Sequence, residues 1–348
     1  MTAAHPLAVP RGSLNRAVLA AGSLPLPAGV AGRLAGDLLS SRALATLVRD
    51  AAPREADGLT GPEALRWLTG PAETEARDEF GLVVERFSLA LAALVAVLTL
   101  AEPAARAARP EWGEEDWAPW RAAGQVVLGG GLVSGGFGEA CAASVAGLLA
   151  AWGLPGPLVR VAPQPALLPL AGLARRPRSG RAALLDFGQT SVKRGLAEGN
   201  TLRVLPSRPS SPPEAGDDLP GWMASLIAET AEACAAGEAL VSVAAYLRPD
   251  GTLFPGQGGR YGRLNGLEGP PGSWLSARAF RALGRDVRVC LEHDGTAAAA
   301  ALAGQPGTAV VMLGSALGFG FAPPTERGLN GSARVVGEPA NGEEGYLS

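Results

Sequence analysis

Cysteine is nearly absent: three residues in 348, Cys141, Cys234 and Cys290, far apart and without C-x-x-C spacing. That spacing excludes a disulfide framework and a cysteine-built zinc knuckle, and it points to a reducing compartment. Histidine is scarcer still, with only His5 and His293. Charge is sparse and nearly balanced, at 18% charged residues and a net charge of −3, so the footprint of a nucleic-acid binder is missing. The first residues, Met1-Thr2-Ala3-Ala4-His5-Pro6, lack a basic segment leading into an apolar core, and no secretory leader is expected. The strongest apolar run, Leu89 to Leu100, falls short of the ~20 residues that cross a bilayer and is expected as a buried helix. A cytoplasmic protein with neither nucleic-acid nor membrane partners is the resulting expectation.

What is present is a large apolar fraction, 47% of the chain, and a length that exceeds one hydrophobic core. Two domains with a cleft between them are therefore expected. Leucines spaced three to five residues apart predict a helix over 32–47, and Pro62 suits the first turn of another over 61–68. The segment 73–101 reads as one long helix ended by Pro103. Three tryptophans lie among acidic residues in 111–120. An apolar strand, 125–128, then runs into Gly129-Gly130-Gly131, followed by a helix over 139–152, a strand over 157–161 and a helix over 166–175.

An Arg- and Pro-rich hinge, 175–180, leads to a strand over 182–186 and two expected antiparallel neighbours, 192–196 and 201–205. A loop over 206–220 follows, then a helix over 221–236, a strand over 239–246, a helix over 276–283, a strand over 287–291 and a helix over 296–303. A further strand, 310–313, enters the Gly-rich stretch Gly314-Ser315-Ala316-Leu317-Gly318-Phe319-Gly320. Strands alternating with helices in this way define an α/β protein.

Four segments carry chemistry. Leu185-Asp186-Phe187-Gly188-Gln189-Thr190-Ser191-Val192-Lys193-Arg194-Gly195 offers a hairpin turn with backbone N–H groups and a hydroxyl for phosphate, and an aspartate able to hold Mg²⁺ through water. Val289-Cys290-Leu291-Glu292-His293-Asp294-Gly295-Thr296-Ala297-Ala298-Ala299 puts an aspartate between a strand and a small-residue helix, where it can serve either as a proton acceptor or as a helix cap. The other two are Val311 to Gly320 and Val126 to Val133. In the last, a strand ends in glycines whose bare backbone can lie flat against a base and ribose.

Together these segments resemble the ROK (repressor, ORF, kinase) family of the sugar kinase, Hsp70 and actin superfamily, in circularly permuted order. They are similar to that family's first phosphate loop, its catalytic-aspartate stretch, its second phosphate loop and its adenosine motif. The resemblance implies two ribonuclease-H-like (actin-like ATPase) domains with an interdomain cleft: a second lobe from 1–164 and 306–348, and a first lobe from 165–305. It implies ATP and Mg²⁺ as cofactors, and a sugar or sugar-like substrate phosphorylated at a hydroxyl, as by a glucokinase. Asp294 would be the general base.

Asp186, Gly188, Gln189, Thr190, Lys193, Gly314, Ser315, Gly318, Gly129, Gly130 and Gly131 would contact nucleotide, with Asp186 on Mg²⁺. His293, Asn265 and Glu338 would contact substrate, with Tyr261 and Arg263 beside the expected sugar loop. A homodimer is also implied. The departures are Gln189 and Ala316 where the family has glycine, a degenerate substrate motif around Glu338, and no zinc-binding cysteine run, so no structural zinc is expected. These departures keep a second reading open, a non-catalytic sugar- or nucleotide-binding sensor or scaffold. A dinucleotide-binding oxidoreductase is excluded, because no G-x-G-x-x-G runs into a helix with an acidic residue about twenty positions on.

Overall fold

The computed structural model describes residues 13–20, 22–53, 58–69, 78–154, 156–176, 180–199, 201–210, 218–255, 260–324 and 334–336. Helices α1 (Ala35–Leu39), α2 (Ser41–Ala51), α3 (Gly61–Thr69), α4 (Asp78–Leu100), α5 (Pro103–Ala107) and α6 (Glu114–Arg121) come first. Strand β1 (Gln125–Gly129), helix α7 (Gly135–Ala151), strand β2 (Leu158–Val161) and helix α8 (Leu168–Leu173) follow. The middle of the chain forms β3 (Arg181–Phe187), β4 (Ser191–Glu198), β5 (Thr201–Pro209), α9 (Leu219–Ala233), β6 (Glu238–Val243), α10 (Pro271–Leu283), β7 (Arg288–His293) and α11 (Asp294–Ala300). Strands β8 (Thr308–Leu313), β9 (Leu317–Phe321) and β10 (Arg334–Val336) close the order. The described residues form a mixed α/β protein with two sheets, and the chain divides into two compact units.

One unit is built from 13–166 and Gly307–Phe321. Its sheet has the order β2-β1-β8-β9, with β1 parallel to both β2 and β8, and β8 antiparallel to β9. The return from β1 to a parallel β2 needs a crossover, which α7 supplies. Helix α4 is apolar on all sides in its second half and is buried from Phe80 to Leu98 at fourteen positions, the pattern of an interior helix. Phe137 of α7 meets Phe80 and Phe87 of α4 at ring-centroid distances of 6.3 and 5.5 Å. At 23 residues α4 is long and apolar enough to cross a membrane, which corrects the expectation that its apolar run is too short; most of it is buried in the protein.

The single helix expected over 32–47 is two, α1 and α2. Ser40 between them is extended, with ψ of 166°, and its hydroxyl accepts from the Ala43 N–H at 3.4 Å. A side-chain acceptor at this position satisfies an otherwise unpaired N–H of the new helix. Ser40→Ala is expected to lower stability by about 0.5–1 kcal/mol, read as a reduced urea midpoint.

The other unit runs through Leu167–Pro306 around a sheet of order β10-β5-β4-β3-β6-β7. Strands β3, β4 and β5 form an antiparallel meander, while β6 and β7 continue from β3 in parallel. Side chains alternate between the two faces. Ala183, Leu185, Phe187, Val241, Val243 and Val289 pack with Met223 and Ile227 of α9 and Leu275 and Ala279 of α10. Ala182, Leu184 and Leu240 face Leu170 and Leu173 of α8 and Ala297 of α11. Helices α8 and α11 approach so closely that a Cβ on Gly172 would lie 1.7 Å from the Ala297 carbonyl oxygen. That contact fixes α11, and with it the residue at its start.

The described residues past 306 divide between the two sheets. Strand β8 and β9 complete the first sheet described, whereas β10 pairs in parallel with β5, Arg334 opposite Thr201. A short apolar pair, Val335-Val336, suits an added edge strand in either sheet, and only the pairing decides which.

Candidate functional site

Strand register alone places four polar residues side by side. Asp186 lies opposite Lys193 on β4 and opposite Ser242 on β6, and Ser242 lies opposite Glu292 on β7. All four point to the α8–α11 face, one step beyond the Leu184–Leu240 row. Asp186 is buried. Its Oδ1 accepts from the Ser242 hydroxyl at 2.6 Å, and its Oδ2 is 3.6 Å from Lys193 Nζ. A buried carboxylate needs such partners to remain charged. Glu292 pairs with Arg176 at 2.7 Å; burial raises its pKa, and the guanidinium opposes the rise.

The row ends at the carboxyl edge of β3, β6 and β7, where open α/β sheets place ligands. Asp294 stands at that edge as the first residue of α11, with His293 as N-cap. Asp294 Oδ1 accepts from the Gly295 N–H at 2.7 Å and lies 3.1 Å from His293 Nε2. Burial, and then the negative charge of Asp186, push the Asp294 pKa up to about 7 against the opposing pull of the Gly295 N–H and Lys193. Two carboxylates near one another cannot both ionise easily, and the less well compensated one gives way. His293 is buried, and burial pushes its pKa down to about 3. Its contact with Asp294 is therefore a hydrogen bond between a neutral ring and the carboxyl group, not an ion pair. The ring stacks on Tyr246 with centroids 4.4 Å apart and planes 19° apart.

The expected first phosphate loop is a tight turn joining β3 to β4. The Gly188 N–H donates to the carbonyls of Asp186 and Ser191, both at 3.1 Å. Its own carbonyl accepts from the Ser210 hydroxyl and the Tyr261 hydroxyl, each at 2.7 Å. Gln189 is half-buried and Thr190 exposed. Tyr261 is fully buried, and its phenol pKa is raised by that burial. Tyr261, expected at a sugar loop, anchors this turn. Asn265 is exposed, donates to the Phe254 carbonyl at 3.1 Å, and lines a surface depression of about 330 Å³ with Arg248, Thr252 and Leu264.

In the unit of β1 and β8, the expected second phosphate loop is a three-residue hairpin turn with Leu313 opposite Leu317. Ser315 and Ala316 are exposed there, and Gly318 is a buried residue of β9. Gly129, Gly130 and Gly131 are all buried. Gly130 has φ of 92°, and a Cβ on it would fall 2.1 Å from the Leu313 carbonyl oxygen. Among the described residues, the non-glycines with positive φ are Ala101 and Ala235. Gln189 and Ala316 therefore sit in turns that do not demand glycine.

The structure thus brings together Asp186, Lys193, His293 and Asp294, and adds Ser242, Glu292, Arg176 and Tyr246, which sequence reasoning missed. A lone serine inside the apolar string Ala239-Leu240-Val241-Ser242-Val243 was the available signal for one of them. Glu338 lies outside the described residues. Among those residues no group of three or more His, Cys, Asp or Glu is placed to hold a metal. No protein-family model matches the chain, and no curated protein matches it either.

Proposed function

We propose that the chain is a cytoplasmic ATP-dependent phosphotransferase acting on a hydroxyl of a sugar or sugar derivative, similar to ROK-family carbohydrate kinases and built of ribonuclease-H-like units in permuted order. The observation that carries this reading is Asp294, a carboxylate at a sheet edge with a pKa of about 7 beside a second, well-partnered carboxylate, Asp186. A base titrating there is half ionised near neutrality and accepts a proton without binding it irreversibly. The strand order β5-β4-β3-β6-β7, with β4 alone reversed, accords with the proposed fold.

In this reading Asp294 takes the hydroxyl proton as that oxygen attacks the γ-phosphorus of ATP. The bond to the β-phosphate oxygen breaks, and ADP leaves with the bonding pair. The Gly188–Thr190 turn and Lys193 serve the phosphates. Asp186 offers buried oxygen donors of the kind Mg²⁺ prefers, and it would hold the ion through water. Mg²⁺ would supply neutralisation of phosphate charge. In the other unit Gly314, Ser315 and Gly318 are proposed for phosphate, and Gly129 to Gly131 for adenosine.

Incubation with ATP, Mg²⁺ and a panel of hexoses and amino sugars tests the reading, with ADP release from one sugar class as the expected result. The side chains of Gln189 and Ala316, where the resembled family has glycine, favour the alternative of a sugar- or nucleotide-binding sensor; calorimetric sugar binding without ADP release would support it. A pH prediction follows from the same base. Because Asp294 must be ionised, kcat/KM is expected to be flat above pH 7 and to fall about tenfold per unit below it, measured with saturating ATP.

A further inference from the structure

The resemblance implies a substrate contact for His293, yet its surroundings suit it to act on Asp294. The ring is buried, stacked face to face on Tyr246, and turned so that Nε2 meets Asp294 Oδ1. The Gly295 N–H reaches that same oxygen. Both bonds fall on Oδ1, which leaves Oδ2 to accept a proton. When Asp294 is ionised its carboxylate can only accept, so Nε2 then carries the hydrogen, and the neutral ring presents Nδ1 as an acceptor toward the Thr296 hydroxyl, 3.5 Å away.

We propose that Tyr246 and His293 form a positioning pair for Asp294: stacking fixes the imidazole, and its Nε2–H pins one carboxylate oxygen so that the other faces the hydroxyl to be phosphorylated. The proposal rests on the kinase reading for its catalytic half and on geometry for its positioning half. The other charged groups acting on Asp294 are Asp186 on β3, which disfavours its charge, and Lys193 on β4, which favours it. A cationic donor in place of His293 would add to the pull of Lys193 and weaken the base. A neutral donor orients Asp294 without adding charge.

Two readouts on the full chain test this. With ¹⁵N-labelled histidine and His5→Ala to leave a single imidazole, the nitrogen spectrum at pH 8, where Asp294 is ionised, is expected to show a neutral ring protonated at Nε2 and bare at Nδ1. In Tyr246→Leu the two tautomers should exchange. At pH 8 an Nδ1–H ring, or an imidazolium, would overturn the pair. On a phosphorylated sugar, His293→Leu is expected to lower kcat roughly 10- to 100-fold, as for loss of a hydrogen bond to a charged group. KM should change less than about threefold, because in the proposed pair the histidine acts through Asp294. His293→Gln, which keeps a neutral N–H at similar reach, should restore most of kcat. Unchanged kcat in His293→Leu would sink the proposal. If the unaltered chain releases no ADP with any sugar, the kinase reading fails alone, and the nitrogen spectra still decide whether Nε2–H is held on Asp294.

Discussion

Asp294→Asn is expected to lower kcat by about 10²- to 10⁴-fold, the contribution of a positioned general base, with a much smaller change in KM. Asparagine has the same shape, and its carbonyl oxygen can still accept from the Gly295 N–H and from His293, as Oδ1 does now. What it cannot do is take a proton. The same variant carries a second expectation of opposite sign. In the folded protein the Asp294 pKa is raised to about 7, above the ordinary carboxylate value, so the fold disfavours its charged form. The resulting loss of stability grows as pH rises from about 4 to 7 and is complete above that. Asp294→Asn removes it. Thermal unfolding at pH 8 should therefore occur at a higher temperature in the variant than in the unaltered chain, and at pH 4 the two should coincide. Robust ADP release by the variant would remove Asp294 from the mechanism, whatever its stability.

Gly130→Ala is expected to cost roughly 2–6 kcal/mol, the sum of backbone strain and overpacking. The backbone at Gly130, φ 92° and ψ 165°, is one that side chains rarely adopt. The new methyl would also lie 2.1 Å from the Leu313 carbonyl oxygen, 2.8 Å from its carbon and 2.8 Å from its nitrogen. These are main-chain atoms of a paired strand, so no rotamer change relieves the clash. Urea unfolding followed by tryptophan fluorescence is a suitable measurement, because Trp112, Trp117 and Trp120 are buried in the same unit. A midpoint equal to that of the unaltered chain would mean that β1 and β8 can separate freely. Gly314→Ala supplies the contrast: its Cβ would meet the Ala316 carbonyl oxygen only at an ordinary 3.7 Å. Its effect should stay within about 0.5 kcal/mol.

The unit around Asp186 was the more legible part of the sequence. Apolar strands there are separated by turns with strong local signals, and the strands expected over 182–186, 192–196 and 201–205 lie within β3, β4 and β5. Hairpin register follows from the turn, so the meeting of Asp186 and Lys193 was within reach of counting. The contact of Tyr246 with His293 was not. It depends on the parallel pairing of β6 with β7, which lie about fifty residues apart and are joined through a helix.

Strand β9 was missed for another reason. Leu317-Gly318-Phe319-Gly320-Phe321 alternates with period two, but its glycines read as a turn. The aromatic rings show what the alternation serves, since Phe319 and Phe321 pack on Trp120 at 5.4 and 4.9 Å. Helix α6, which carries Trp117 and Trp120, was hidden by its acidic first turn and by Pro119 inside it. Its three acidic residues, Glu114, Glu115 and Asp116, stand where a helix dipole favours negative charge.

The pairing of β1 with β8 bears on how the chain is made. About 180 residues separate Gln125 from its partner Thr308, and loop closure over such a span is slow. During synthesis β1 emerges early and can gain β2 as a neighbour, but its other edge must wait until residues past 313 have left the ribosome. The meander β3-β4-β5 and the strands β6 and β7 all fall within 181–293, so that sheet core can form while the earlier-made one is still incomplete. The later-synthesised unit is thus the first able to fold, and the open edge of β1 is where a nascent chain of this protein is most exposed to mispairing and to chaperones.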